Sequence, residues 1–319
     1  MAIETVICNR KKIPKLIFGT LTMAPIQRNM TAEEGGDIIS AALAQGLRWI
    51  DTAQMYGSYP HVKDALDKSK IDRKELVIST KSTAKTYEMM SAAIDEALSA
   101  MNLEYIDLFL LHAVRSNEDF YERSEALQAV IDAKHKGVIG EIGISTHSTK
   151  FALEITGNEI FDWYHLMFNM KGTGLTDGTL KDQETAIKKA KIRGAKIYAM
   201  KPLGGGYLGK EAEKALQWIN RHKLIDAVAL GIATHKELEM NLKIFSGEKV
   251  SESLKQELAE VTKKLLIFQP LCIGCSLCAE TCEQGAITIA YGKASVNTDK
   301  CILCGYCVPT CPKFAIRII

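Results

Sequence analysis

The sequence predicts an α/β fold, a (β/α)8 barrel followed by a small C-terminal α+β unit organised around cysteines. Three observations carry that expectation. Eight apolar strand-like runs alternate with helix-period segments between residues 16 and 245. The runs are apolar on both faces, as strands must be in a parallel sheet covered by helices. A four-cysteine run also occurs twice near the end, "CIGCSLCAETC" from Cys272 and "CILCGYCVPTC" from Cys301.

In chain order the strands are expected at 16–20 (LIFGT), 47–51 (LRWID), 76–81 (LVISTK), 105–112 (YIDLFLLH), 139–145 (IGEIGIS), 163–168 (WYHLMF), 195–200 (AKIYAM) and 226–232 (DAVALGI). Amphipathic stretches such as "EMMSAAIDEALSAM" lie between them. An open doubly wound sheet is the alternative, but the first strand is not followed by G-x-G-x-x-G. The barrel is expected over 1–250. The segment "SESLKQELAEVTKKLLIF" (251–268) reads as a connecting helix, roughly 27 Å long at 1.5 Å per residue. That length would return the chain from the barrel floor to its mouth, or else serve as a plain solvated linker. Residues 269–319 form the cysteine unit.

Composition narrows the function classes. With 47% hydrophobic and 24% charged residues the chain reads as an ordinary globular protein. A formal charge of +2 gives no reason to expect nucleic acid or a membrane surface as partner. No apolar run approaches a membrane span, and the start "MAIETVICNRKKIPK" lacks the pattern of an export signal. Eight of the nine cysteines lie in the two runs. The ninth, Cys8, reads as a small apolar residue of an N-terminal strand. A reducing cytoplasm is the expected location.

Cys272, Cys275, Cys278 and Cys282 follow C-x2-C-x2-C-x3-C, and Cys301, Cys304, Cys307 and Cys311 repeat it at an offset of 29. The offset persists beyond the cysteines, where "AITI" (286–289) aligns with "AIRI" (315–318). This is an internal duplication. Zinc needs four ligands, usually as two separated pairs, and has no use for this spacing. The unit resembles the bacterial two-cluster ferredoxins, in which the fourth cysteine of each run serves the other cluster. The resemblance implies two [4Fe–4S] clusters, one on Cys272, Cys275, Cys278 and Cys311, the other on Cys301, Cys304, Cys307 and Cys282. Pro312 matches the family's proline after the last cysteine; Glu283 stands at the equivalent place in the first run.

Polar residues mark the strand ends of the barrel, the face where catalytic groups gather in this architecture. Asp51 and Tyr56 follow the second strand, Lys81 the third and His112 the fourth. Each alone is an ordinary polar residue. Together, in this order, they resemble the tetrad of the aldo-keto reductases, a likeness that extends over residues 1 to about 260. It implies reduction of an aldehyde or ketone. Tyr56 would deliver the proton that a developing alkoxide requires, Lys81 would ease its loss, Asp51 would hold Lys81, and His112 would orient the substrate oxygen.

The same resemblance implies NADP or NAD as cofactor, with less faithful contacts. Gly19 and Thr20 end the first strand. Ser145 matches the family's serine near the nicotinamide amide, Thr146 replaces its asparagine and His165 its glutamine, and Met200 stands where an aromatic ring stacks. The loop Lys201, Pro202, Leu203, Gly204 to Gly206 fits the pyrophosphate segment, its glycines admitting backbone N–H groups to phosphate. Thr234, Glu237 and Asn241 fit the adenosine segment. Ala233 and Glu237 replace groups that favour a 2′-phosphate, and Lys236 is the candidate to compensate.

Clusters pass single electrons, whereas a hydride carries two, so FMN is a further cofactor candidate as converter. Three readings follow. In one the chain is a nicotinamide-dependent carbonyl reductase with an attached redox unit. In another the clusters feed the barrel site, directly or through a flavin, for a reduction that a nicotinamide cannot drive. In the third the protein is a non-catalytic electron carrier or redox sensor. The implied partners are a small carbonyl compound, admitted between loops 21–30 and 113–120, and a ferredoxin or other redox protein.

Overall fold

A hairpin, read from sequence only as a strand around Cys8, precedes the barrel. Strand β1 (Thr5–Cys8) pairs antiparallel with β2 (Lys11–Pro14). Both turn residues, Asn9 and Arg10, have positive φ (45° and 63°), the backbone twist a two-residue hairpin requires. The computed structural model describes residues 2–25, 27–175, 177–260 and 263–319. Ile26, in the expected substrate loop, and Val261 and Thr262, in the expected connecting helix, lie outside them.

All eight expected strands form. They are β3 (Leu16–Gly19), β4 (Trp49–Asp51), β5 (Val77–Ser82), β6 (Ile106–Leu111), β7 (Ile139–Thr146), β8 (Trp163–Met167), β9 (Lys196–Met200) and β10 (Ala227–Gly231). Each pairs in parallel with its sequence neighbours, and β10 closes on β3. The two-residue period of a strand then sorts side chains. Leu16, Phe18, Ile50, Ile78, Phe109 and Leu166 face outward into the layer of helices. Ile17, Trp49, Val77, Leu108, Leu110, Trp163 and Tyr198 face inward, and Cys8 and Ile13 of the hairpin join them. Trp49 and Trp163 meet edge to face at 5.0 Å. The hairpin thus plugs the barrel floor. The inward parity continues upward through Asp51, Lys81, His112, Ser145, His165 and Met200, so the candidate residues share the inner face of the mouth. No helix among the described residues is long and apolar enough to cross a membrane.

The connecting helix is shorter than expected. It spans Glu252–Ala259, N-capped by Ser251, which is about 12 Å rather than 27 Å. Leu265–Ile267 is instead strand β11, because "LLI" finds an antiparallel partner in the chain's last strand. The cysteine unit continues with the hairpin of β12 (Ile287–Ala290) and β13 (Lys293–Val296) and ends in β14 (Ile316–Ile318), the partner of β11. The duplication is visible in detail. Ala286 N–H donates to Cys282 Sγ at 3.3 Å, and 29 residues on Ala315 N–H donates to Cys311 Sγ at 3.2 Å.

This unit does not hang free. Met167 and Met200, at the upper ends of β8 and β9, share one apolar cluster with Leu265, Ile267, Cys272, Cys278, Phe314 and Ile316. Docking breaks the symmetry of the repeat. Phe314 occupies the place of Gly285 in the first copy, and both have left-handed backbone (φ 47° and 55°). That conformation is cheap for glycine and costs a side-chain-bearing residue about 1–2 kcal/mol. Phe314 bears it where its ring packs against the barrel.

Candidate active site at the barrel mouth

The sequence-predicted tetrad comes together. Lys81 Nζ lies 2.6 Å from Asp51 Oδ2 and donates to the Thr52 carbonyl at 2.7 Å. The other carboxylate oxygen, Oδ1, accepts from Ser79 Oγ at 2.8 Å and from the Tyr198 hydroxyl at 3.3 Å. Ser79 in turn accepts from Trp49 Nε1 at 2.9 Å, which ties the pair to the floor layer. Tyr56 ends a short 3-10 turn, Gln54–Tyr56, stopped by Gly57 at φ 68°. Ser58 anchors the turn through Thr20 Oγ1 (2.8 Å) and Thr52 Oγ1 (2.9 Å). The Tyr56 ring lies beneath Lys81 Nζ, 5.2 Å from its centroid, and meets His112 edge to face at 5.6 Å.

Burial, then the Asp51 carboxylate, holds the Tyr56 phenol above its usual range, and the Arg317 guanidinium acts in the opposite direction. Burial also lowers Lys81, against the pull of Asp51. His112 is held well below the usual imidazole value by burial and then by Lys81, so its ring is uncharged at neutral pH. Its Nδ1 has no hydrogen-bond partner.

The residues expected around a nicotinamide nucleotide are arranged differently. Thr20 bonds within the β3–β4 corner, and Gly19 packs against the Leu230 backbone. Ser145 Oγ accepts from Ala113 N–H at 2.8 Å, and Thr146 Oγ1 accepts from Ser148 N–H at 3.0 Å. His165 stacks on Tyr198 at 3.8 Å with both ring nitrogens unpartnered. Met200 is buried against the cysteine unit. In the glycine loop, Gly204 and Gly206 N–H donate to the Lys201 and Leu203 carbonyls. A Cβ on Gly205 would sit 2.8 Å from the Phe314 ring, and one on Gly206 would overlap the Ile318 carbonyl. These glycines therefore admit β14. Pro202 is buried, and Leu203 packs on the helix layer. Thr234 caps helix His235–Ser246, Glu237 accepts from Ala233 N–H at 2.8 Å, and Asn241 is buried in that helix. Lys236 pairs with Glu257 at 2.7 Å, while Arg28 stands 3.7 Å from Glu237. On the nicotinamide side, Ser145, Thr146 and Met200 are thus engaged within the chain, and His165 keeps both ring nitrogens without a partner.

The cysteines fall into the crossed sets. Cys272, Cys275, Cys278 and Cys311 line one cavity, and Cys282, Cys301, Cys304 and Cys307 line a second. Apolar walls (Ile267, Ile289, Ile316 in one; Leu265, Ile287, Ile302 in the other) and backbone N–H groups aimed at sulfur suit iron–sulfur clusters. Among the described residues, no three His, Cys, Asp or Glu side chains are placed to hold a single metal ion.

Sequence reading missed Arg317, Phe314, His147 and Tyr198. Arg317 had a signal, since it is the one position at which "AIRI" departs from "AITI".

Comparison with known proteins agrees with this architecture. The model of the 4Fe-4S dicluster domain matches residues 271–318. An uncharacterized oxidoreductase of Saccharomyces cerevisiae is 26% identical over 270 residues, 77% of this chain and 90% of its own length. The methylglyoxal reductase DkgB of Escherichia coli O157:H7 is 35% identical over 109 residues, 34% of this chain and only 40% of its own length. An aldo/keto reductase structure from Brucella melitensis shares the fold, with TM-score 0.60 at 24% identity over 82% of this chain and 100% of that one. Because the aldo/keto reductase family model matches residues 15–264, most of its length, the chain belongs to that family and is an oxidoreductase with a 4Fe-4S dicluster domain at its C-terminal end.

Proposed function

We propose that this oxidoreductase reduces the carbonyl group of a small aldehyde or ketone at Asp51, Tyr56, Lys81 and His112. The observation that carries the reading is the convergence of a buried Lys81–Asp51 pair, a phenol beneath the ammonium and an uncharged imidazole beside it. Reduction leaves negative charge on the carbonyl oxygen, and Tyr56 supplies its proton. A phenol held above its ordinary range keeps that proton until charge develops on the substrate. The Lys81 ammonium and the Arg317 guanidinium then favour the phenolate left behind. Asp51 fixes Lys81, and His112 positions the carbonyl oxygen.

Family membership implies NAD(P)H, which when bound would supply a hydride. A second reading is favoured by one observation, the packing of Met200 and the glycine loop against Phe314 and β14. In it, clusters held by the two crossed cysteine sets would supply electrons singly to the mouth, replenished by a ferredoxin or another redox protein.

Anaerobically purified protein, given an aldehyde with NADH, NADPH, or dithionite and a mediator, separates the two. Turnover without nicotinamide, lost in a folded Cys304→Ala variant, supports the cluster-fed reading. Turnover with NAD(P)H alone, kept in Cys304→Ala, supports the family's ordinary chemistry. The tetrad reading itself fails if Tyr56→Phe keeps its rate within about twofold under every donor, since a lost general acid costs far more.

A further inference from the structure

Four cations are buried in the described structure, and three have an answering carboxylate. Lys15 pairs with Glu4, Lys81 with Asp51 and Arg123 with Asp119. The fourth, Arg317, is 7% exposed, its Nε has no hydrogen-bond partner, and no carboxylate among the described residues pairs with it. Strand alternation turns it away from the core-facing Ile316 and towards the barrel loop. Its Cγ lies 3.6 Å from the position a Cβ on Gly205 would take, and its guanidinium stands 5.8 Å from the Phe268 ring centroid. Its charge reaches Tyr56, His147 and Lys201.

Lys201 faces it from the barrel side with left-handed backbone (φ 55°). Its Nζ is 2.9 Å from His147 Nε2 and 4.7 Å from the centre of the Phe314 ring. No carboxylate among the described residues answers this charge either. His147 is uncharged, because burial and the two cations depress its affinity for a proton. Burial, then the Arg317 charge, holds the Lys201 ammonium well below its ordinary value, as expected of two cations desolvated together with no anion to join them. A guanidinium with a free edge beside an ammonium is a fitting receptor for carboxylate or phosphate oxygens.

We propose that Lys201 and Arg317 form an oxyanion site, shared between the barrel and the C-terminal unit, that holds a carboxylate or phosphate next to Tyr56. Resting on the tetrad reading, this makes the substrate a carbonyl compound bearing an acidic group; the other source of the same chemistry is a nucleotide phosphate. The C-terminal unit is then part of the substrate site as well as a redox attachment.

Isothermal titration of the anaerobic, cluster-loaded protein at constant ionic strength tests this, with oxamate, inorganic phosphate and NADPH as probes. Arg317→Met and Lys201→Met should each weaken oxyanion binding about tenfold or more, and Arg317→Lys should restore part of it. Loss confined to oxamate and phosphate assigns the site to the substrate. Loss confined to NADPH and phosphate assigns it to the nucleotide. Unchanged affinities in all variants, or no binding by the parent protein, overturn the proposal. Arg317→Met should also melt no lower than the parent in anion-free buffer, because it removes an unanswered buried charge. A clearly lower melting temperature would mean a structural role and would overturn it too. Tyr56→Phe should keep its anion affinity, so failure of the tetrad reading and failure of this site remain separate results.

Discussion

The two halves of the barrel mouth are built from the same strand parity but reach different states. On the β4–β6 side every charged group is answered from within the barrel. Lys81 meets Asp51, Asp51 meets Ser79 and Tyr198, and Ser79 meets Trp49. On the β7–β9 side the hydroxyls of Ser145 and Thr146 are spent on backbone, His165 has no partner for its nitrogens, and Lys201 has no carboxylate. That side is covered by β14 and Phe314. The charge pair of the proton-handling half is closed within the barrel, with Arg317 acting on Tyr56 from the C-terminal unit, whereas the other half is completed by the rest of the chain and by whatever binds there.

The sharpest way to break this contrast is to disable the proton-handling half. Tyr56→Phe removes the proposed donor while leaving its ring against His112, so folding should be kept. Turnover should fall by about 10²–10⁴-fold, the usual worth of a general acid, in steady-state assays with whichever reductant the enzyme accepts. The second half is broken at its docking contact. Gly206 has φ 91° and no room for a Cβ beside the Ile318 carbonyl. Gly206→Ala should destabilise the docked state by about 1–3 kcal/mol, as overpacking and a disallowed φ usually do. Hydrogen exchange should then show faster opening of β11 and β14 with β4–β6 unchanged; equal loosening of both regions would deny that the halves are independent.

A smaller effect compares one buried imidazole from each half. Burial, then neighbouring cations, depresses both His112 and His165 below their ordinary value. Below about pH 6.5 the unfolded chain takes up protons that the folded one refuses. Stability from these residues is therefore fully present above that pH and is lost as pH falls towards the folded-state values, by up to about 1.4 kcal/mol per pH unit for each. His165→Phe keeps the stack on Tyr198 and removes one of the two contributions. Denaturant titrations between pH 5 and 7 should give it a shallower acid slope than the parent. An identical slope would mean that the His165 ring is solvated and the second half open.

Much of this was legible in the sequence, for identifiable reasons. Strand parity and apolar runs located all eight barrel strands to within a few residues, because both faces of each strand are buried. The convergence of Asp51, Tyr56, Lys81 and His112 was legible because each sits at or just after a strand end, and the crossed grouping of the cysteines because their run repeats at an offset of 29. The hairpin was missed since "CNRK" gives a turn without glycine. The connecting helix was overextended because "KLLIF" suits either helix or strand, and only the distant "IRI" decides between them. From sequence the glycine loop reads as a pyrophosphate segment or a mobile glycine-rich loop. Its glycines also meet Phe314 and Ile318, contacts between segments more than 100 residues apart that no local pattern announces.

The smallest expected effect concerns the adenosine end of the second half. If a 2′-phosphate were held there by Lys236, that side chain would have to be free to reach it. Its ammonium is instead 2.7 Å from Glu257 of the helix Glu252–Ala259, and both residues are exposed. An exposed pair of this kind is weak and screened by salt. Lys236→Ala should thus change the ratio of NADPH to NADH efficiency by less than about twofold. Arg28 stands 3.7 Å from Glu237, and Arg28→Ala should move the ratio further than Lys236→Ala does. A fall in NADPH preference of tenfold or more from Lys236→Ala, with NADH efficiency unchanged, would show Lys236 leaving Glu257 for a phosphate. The second half would then bind a nucleotide in the family's manner, and the contrast between the two halves would shrink to their hydrogen bonding.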